Sequence, residues 1–326
     1  MGANKKISVI ITLLNDKRFE RTVNSVLKQT VKVDEIIIAD GGSTDGSLEL
    51  AYKLAEHNPV IRVIKAPGNI PQSRNIAIQQ AIGDYIIFID ADEIAPEQWL
   101  EKLIEPLSDE KVGFTGGPTP GLKESCKTIG AKYYSAYLEY LYDNIASKAP
   151  YALPMGNSAW KKSLFQEVGK LDENGYYFAP GEDHDFAVRT LQKGYTGKYV
   201  KEAFVYHDYS GLTVKTLLKK QVKYARGGYK IYKKHGTTYE STFLKIIPYI
   251  LWPVLLLFGF IFFIFGFALW TYFVLAGLII PVIMMIYYTI EGFYLEKKYS
   301  GMKYRIIEIL RRYAVLYGAF LGMISR

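Results

Sequence analysis

Through the first two-thirds of the chain, short apolar runs alternate with stretches in which apolar side chains return every three or four residues. Ile7–Leu14, Ile36–Ala39, Val60–Ile64 and Tyr85–Ile89 are rich in Ile and Val and lack polar alternation. That is the pattern of strands buried on both faces. Between them, Phe19, Val23, Val26 and Leu27 run at helical spacing to Gln29, and helices are predicted from Thr44 to His57, Gln72 to Ile82 and Pro96 to Pro106. Ala66–Pro71 reads as a loop. Strand and helix alternating at this interval predict a parallel, doubly wound sheet, an α/β fold.

Beyond Lys111 the pattern loosens. Val112–Gly117 reads as a strand and Lys132–Asp143 as a helix carrying Tyr133, Tyr134, Tyr137, Tyr140 and Tyr142. Those rings either pack with their hydroxyls wet or wall a sugar or lipid site. Tyr151–Trp160 reads as a loop entering a strand, Leu164–Leu171 as a short helix, and a further helix opens at Glu182. Tyr195–Tyr206 reads as one strand, closing on His207-Asp208. Thr213–His235 is a basic amphipathic helix with Val214, Leu217, Leu218, Val222, Ala225, Tyr229 and Tyr232 on one stripe, which predicts an element lying in a membrane interface.

Residues 246–290 contain no charge across 45 positions. A spanning helix needs about 20 residues, so two spans are predicted, Ile247–Phe267 and Trp270–Ile290, with a break near Ala268–Tyr272. Trp252, Trp270, Tyr272, Tyr287 and Tyr288 are candidate interface anchors, and basic flanks on both sides predict a hairpin with both ends cytoplasmic. The apolar end of the last helix, Tyr313–Ile324, is too short to span and is expected in the interface. The expected organisation is therefore a catalytic domain over 1–210, an interface helix over 211–245, two spans over 246–290 and an interfacial helix over 291–326.

Net charge is +8 and gathers around the uncharged stretch, which points to anionic lipid and away from nucleic acid. The single cysteine, Cys126, excludes an intrachain disulfide and a cysteine zinc site. The short polar start reads as lacking a signal peptide.

The candidate chemistry sits at strand ends. Asp16, Asp40 and the pair Asp90 and Asp92 each follow an apolar run. In a parallel sheet these ends share one edge, where α/β folds bind ligands. Two carboxylates one residue apart can hold a hard divalent cation that in turn holds phosphates. Solvated loop acids are the bland alternative. A second acidic cluster, Glu182, Asp183 and Asp185, opens a helix, where negative charge is favourable against the helix dipole. His207 is a metal or phosphate candidate.

Thr12-Leu13-Leu14-Asn15-Asp16, Asp40-Gly41-Gly42-Ser43-Thr44-Asp45-Gly46-Ser47, Ser73-Arg74-Asn75, Gly83-Asp84-Tyr85 leading to Asp90-Ala91-Asp92, Gly156-Asn157 with Phe165 and Val168-Gly169, and Glu182-Asp183-x-Asp185 with Arg189 occur in that order over residues 7 to about 210. Together they resemble the family 2 glycosyltransferases, which have the GT-A fold, Rossmann-like with a mostly parallel sheet. The resemblance implies a metal-dependent, inverting hexosyl transferase using a UDP- or GDP-sugar with Mn²⁺ or Mg²⁺. Thr12, Asn15, Asp16, Asp40, Arg74, Asp90 and Ala91 would line the nucleotide-sugar pocket, with Asp40 reading the base. Asp90 and Asp92 would bind the metal with His207 as a third ligand. Asp183 would be the general base, with Glu182 and Asp185 as rivals.

Processive synthases of this kind carry Gln-x-x-Arg-Trp, whereas here Gln221 is followed by Val222-Lys223-Tyr224-Ala225-Arg226. A single addition is therefore expected, onto a lipid-linked acceptor (a glycan hydroxyl or a polyprenyl phosphate) at the cytoplasmic face of the cell membrane. The expected partners are the lipid bilayer, that acceptor and a second copy of the chain, with no nucleic acid. The competing reading is a catalytically silent scaffold of the same fold.

Overall fold

The computed structural model describes residues 5–142, 149, 152–175, 180–236, 240–280, 282–283 and 302–324, with the side chains of 240–250, 302 and 303 excepted. The chain divides into two compact units, Met1–Gly211 and Leu212–Arg326.

The first unit opens with β1 (Ile7–Leu13), α1 (Phe19–Leu27), β2 (Glu35–Asp40), α2 (Ser47–His57), β3 (Ile61–Lys65), α3 (Ile70–Gln80) and β4 (Tyr85–Ile89). It continues with β5 (Glu93–Ile94), α4 (Trp99–Ile104), a 3-10 turn (Glu105–Ser108), β6 (Val112–Gly116), α5 (Ile129–Leu141) and β7 (Asn157–Lys161). Last come α6 (Leu164–Glu167), α7 (Glu182–Gln192), β8 (Thr196–Tyr199) and β9 (Tyr206–His207). The seven-stranded sheet runs β3-β2-β1-β4-β7-β6-β8. β1 pairs in parallel with both β2 and β4, while β7 runs antiparallel to β4 and β6. The sheet is thus parallel where the sequence predicts strands most clearly and mixed beyond β4.

The core follows from the apolar runs. Val9, Ile11, Ile36, Ile38, Ile87 and Ile89 are buried against Phe19, Val23, Trp99 and Leu100 of the covering helices. Each such side chain contributes about 1.5–3 kcal/mol by leaving water, which is why helices cover a sheet this apolar.

Three local differences from expectation have physical causes. α3 begins at Ile70, earlier than the predicted Gln72, because Asn69 forms a capping box. Asn69 Oδ1 accepts from Gln72 N at 3.0 Å and Gln72 Oε1 accepts from Asn69 N at 2.8 Å. α5 likewise starts early, behind Thr128, whose hydroxyl accepts from Ala131 N at 3.0 Å. The single strand predicted over Tyr195–Tyr206 is two strands in two sheets: β8 pairs with β6, and β9 pairs with β5. Tyr133, Tyr134 and Tyr142 are buried, so these three tyrosines pack in the interior.

The second unit holds α8 (Val214–His235), α9 (Glu240–Ile264), α10 (270–280) and α11 (Met302–Ile324). A turn over 265–269 separates α9 from α10, three residues before the predicted break. Gly259 and Gly277 let the two helices approach, since a Cβ on Gly259 would meet Val274 and one on Gly277 would meet Leu256. Among the described residues no helix is long and apolar enough to cross a membrane. The predicted spans are only partly described: the side chains of 247–250, and residues 281 and 284–290 with Tyr287 and Tyr288, lie outside the described residues.

α8 packs along α11. Its buried residues are Leu217, Gln221, Gly227 and Ile231. Of the predicted lipid-facing stripe, only Leu217 is among them. Gln221 Oε1 accepts from Arg311 of α11 at 3.4 Å, and a Cβ on Gly318 would overlap the backbone of Val222. The buried face of α8 is therefore covered by protein. α8 exposes Tyr224 and Tyr232, and α11 exposes Ile306, Leu310, Tyr317, Phe320 and Ile324.

Candidate active site

β2, β1 and β4 are neighbours in the sheet, so the segments leaving them open on one edge. Thr12, partly exposed, pairs with Ala39 near the ends of β1 and β2. Asn15 adopts φ 52°, a conformation Asn tolerates better than most side chains. From there its Oδ1 accepts from Thr44 N at 2.7 Å, while its own N–H donates to Ser43 Oγ at 3.0 Å. Asp40 is buried, and its carboxylate accepts from Gly42 N at 2.9 Å and from Ser43 N at 3.1 and 3.2 Å. The first two strand ends are thus tied into one rim.

Asp16 is gripped by Arg18, whose Nε and Nη2 donate to Asp16 Oδ1 and Oδ2 at 2.8 and 2.6 Å. The same guanidinium lies 3.2 Å from Asp92 Oδ2 and donates to the Asp208 carbonyl at 3.1 Å.

At the third strand end the chain turns back on itself. Asp90 N donates to Glu93 Oε2 at 3.0 Å, and Thr22 Oγ1 donates to the Ala91 carbonyl at 2.9 Å. β5 then carries Glu93 into register with His207 of β9. Ligand atoms of Asp90, Glu93 and His207 lie within 4.8 Å of one another. Of the expected trio Asp90, Asp92 and His207, this group holds Asp90 and His207 and adds Glu93. The β5 turn aims Glu93 inward, and Arg18 lies against Asp92, whose Oδ2 is 3.7 Å from His207 Nδ1. Burial pushes the Glu93 carboxyl well above its usual range, and the charges of Asp90 and Asp92 push it the same way.

An imidazole nitrogen among carboxylate oxygens suits Mn²⁺ or Mg²⁺, and a buried acid crowded by two others fits a place where positive charge is to be received. Gly156 belongs to this wall: a Cβ there would overlap the Asp90 carboxylate.

Arg74 joins this group to the second acidic cluster. It is 6% exposed, with Nη1 on Glu182 Oε1 at 2.9 Å, Nη2 on Asp90 Oδ1 at 3.3 Å and its guanidinium 5.6 Å from the Phe88 ring centre. Glu182 is buried, and burial raises its pKa, Asp183 adding to the rise while Arg74 opposes it. Asp185 is fully buried, with Oδ2 on Arg189 Nε at 2.9 Å. Arg189 in turn donates to the carbonyls of Val168 and Lys170 at 3.0 and 2.9 Å. Asp185 therefore anchors α7 to the segment after α6. Asp183 remains half-exposed, its Oδ1 accepting from His184 N at 2.8 Å.

Four residues of this region escaped the sequence reading. Glu93 is visible in sequence as a third carboxylate, but only its turn shows that it points inward. Asp208 is visible only as the neighbour of His207, and Arg18 and Arg21 carry no sequence signal. Burial works against ionisation of Asp208, yet Ser210, Arg21 and Arg18 outweigh it and hold the carboxyl at about 2.

The model of glycosyl transferase family 2 matches residues 8–168. Over those residues, a little under half of its length, the chain is similar to that family. The matched segment contains the strand-end rim, Arg74 and the Asp90–Glu93 turn; the α7 acids and His207 lie beyond it. The chain is 25% identical to glycosyltransferase AglE of Haloferax volcanii over 234 residues, which is 69% of this chain and 74% of that one. It is 25% identical to glycosyltransferase GlyA of Streptococcus pneumoniae serotype 4 over 193 residues, 54% of this chain and 28% of that one. The chain spans about a third or less of the length of several curated relatives it matches. In fold it is similar to the mannosyltransferase PcManGT of Pyrobaculum calidifontis, solved with GDP-Man and Mn²⁺. There the TM-score is 0.64 at 14% identity, covering 98% of this chain and 88% of that one. This likeness shows the GT-A fold.

Proposed function

We propose that the chain is an inverting glycosyltransferase that moves a sugar from a UDP- or GDP-sugar to a lipid-linked acceptor. The observation that carries this reading is the meeting of Asp90, Glu93 and His207, with Asp92 beside them, at the edge where β1, β2 and β4 end. Asp90 and His207, with Glu93 or Asp92, would hold Mn²⁺ or Mg²⁺. A cation bound there supplies positive charge to the departing diphosphate.

The remaining roles belong to the chain itself. The Asn15–Thr44 rim and Asp40 receive the nucleoside. Arg74 holds Glu182 against Asp90, which brings the opening of α7 to the reacting edge. Asp183, the half-exposed acid of its cluster, takes the proton of an acceptor hydroxyl as that oxygen attacks the anomeric carbon. Displacement from the face opposite the leaving group inverts the sugar. This favours a glycan hydroxyl over a polyprenyl phosphate, which is already ionised and needs no base.

The lipid setting is part of the same proposal. The 45 uncharged residues of 246–290, the close-packed α9 and α10, and exposed Phe260, Phe263, Phe265, Tyr272 and Leu275 support a membrane hairpin with the catalytic unit on the cytoplasmic side. The apolar outer face of α11 supports an interfacial position for that helix.

Thermal stability of the full chain measured with UDP- and GDP-sugars, each with and without Mn²⁺, tests the reading, since a ligand that binds only the folded form raises the transition. A shift that needs both sugar nucleotide and cation, and vanishes in Asp90→Ala, is expected. No shift with any sugar nucleotide would favour the silent scaffold.

A further inference from the structure

His207 reaches the cation group from a strand of only two residues. Its backbone is held on both sides: His207 N donates to the Pro120 carbonyl at 2.9 Å, and Leu122 N donates to the His207 carbonyl at 2.8 Å. Its ring stacks on Tyr209 at 4.3 Å. The next residue, Asp208, faces the other way, toward α1. Its N–H donates to the Asp92 carbonyl at 2.8 Å, so one residue touches both His207 and the Asp90–Glu93 turn.

The Asp208 side chain is 5% exposed and sits between two arginines of the α1 region. Arg21 Nη2 pairs with Asp208 Oδ2, and Arg18 Nη1 lies 3.8 Å from Oδ1. Ser210 N donates to Oδ1 at 2.9 Å. Arg21 is separated from Asp208 by 187 positions and has a side chain 47% exposed. A charge-assisted bond to a buried carboxylate is strong and directional, and here it is spent on the residue adjoining a candidate ligand.

We infer that Arg21 and Asp208 are positioning residues for the cation site: their ion pair clamps β9 to α1 and thereby holds His207 against Asp90 and Glu93. The inference rests on the cation reading of the proposed function and adds residues that the family 2 match does not contain, since Asp208 lies outside residues 8–168. Partners that orient a metal ligand from behind commonly set affinity by 10–100-fold.

The sign of the effect separates this clamp from plain charge. Arg21 is a cation close to a cation site, so by Coulomb repulsion alone its removal would tighten Mn²⁺ binding. The clamp demands the opposite.

The test is direct Mn²⁺ binding to the full chain, followed by electron paramagnetic resonance of the unbound ion, with thermal unfolding alongside. Arg21→Ala is expected to weaken Mn²⁺ roughly tenfold, Arg21→Lys to recover part of the loss, and Arg21→Ala placed in His207→Ala to cost little more than His207→Ala alone. Tighter or unchanged binding in Arg21→Ala, with unfolding near that of the parent, overturns the clamp. So does an equal further loss in the His207→Ala background, because Arg21 would then act through something other than His207. If His207→Ala itself leaves Mn²⁺ binding unchanged, the cation reading fails first, and the clamp falls with it.

Discussion

Arg74 Nη1 lies 2.9 Å from Glu182 Oε1, joining side chains 108 positions apart that are each 8% exposed. The pair links α3 to the first residue of α7, and through Asp90 it reaches the end of β4. Removing one partner of a buried ion pair strands the other charge. Arg74→Ala is therefore expected to cost about 3 kcal/mol of stability, read by urea unfolding. Adding Glu182→Gln should return part of it, because the stranded carboxylate is gone. A double variant as unstable as the sum of the two singles would count against the pairing.

Asp183 and Asp185 stand two residues apart with different surroundings, and their substitutions should separate. Asp183→Asn is expected to lower transfer by roughly 100-fold or more while leaving nucleotide binding in place. Asp185→Asn should instead loosen the Arg189 anchor and lower the unfolding temperature. Transfer assays and thermal unfolding of both variants check this. Equal loss of transfer without loss of stability in Asp185→Asn would place it in the catalytic set.

Gly156 has no room for a side chain beside Asp90. Gly156→Ala should push the Asp90 carboxylate aside or shift β7. A stability cost of about 1–3 kcal/mol is expected from the overlap, together with weaker Mn²⁺ binding in titration. Retained Mn²⁺ affinity would mean that Asp90 can give way without loss to the site.

Cys126 is half-buried, and burial raises its thiol pKa, hydrogen bonds from Ser125 and Ser135 opposing the rise. The thiolate is the reactive form, so at a given pH less of it is present than for an ordinary cysteine. Alkylation by iodoacetamide should therefore be slow in the folded chain, with its rate-against-pH curve displaced to the alkaline side, and should speed up on unfolding. Rates measured from pH 7 to 10 in native and denatured protein test this.

The candidate site was only partly legible in the sequence. Asp16, Asp40 and Asp90 could be placed on one edge because each follows an apolar run, and parallel strands end together. Glu93 was in plain view immediately after Asp92, yet nothing local tells which of them turns inward. Arg18 and Arg21 look like ordinary polar positions of an amphipathic helix. The predicted stripe of α8 missed Gln221, Gly227 and Ile231, because what covers a helix depends on its partner, here α11 with Gly318 and Arg311.

The identity of β1 to β4 and the position of the strand-end acids were settled by the amino-acid sequence, because burial acts over neighbouring residues. The choice of Glu93 beside Asp90 and His207, the burial of Asp185 and Glu182 that leaves Asp183 half-exposed, and the grip of Arg21 on Asp208 were decided by the tertiary structure. Each depends on side chains brought together from distant parts of the chain, where the pairing of β5 with β9 and of Arg74 with Glu182 sets distances that no local pattern encodes.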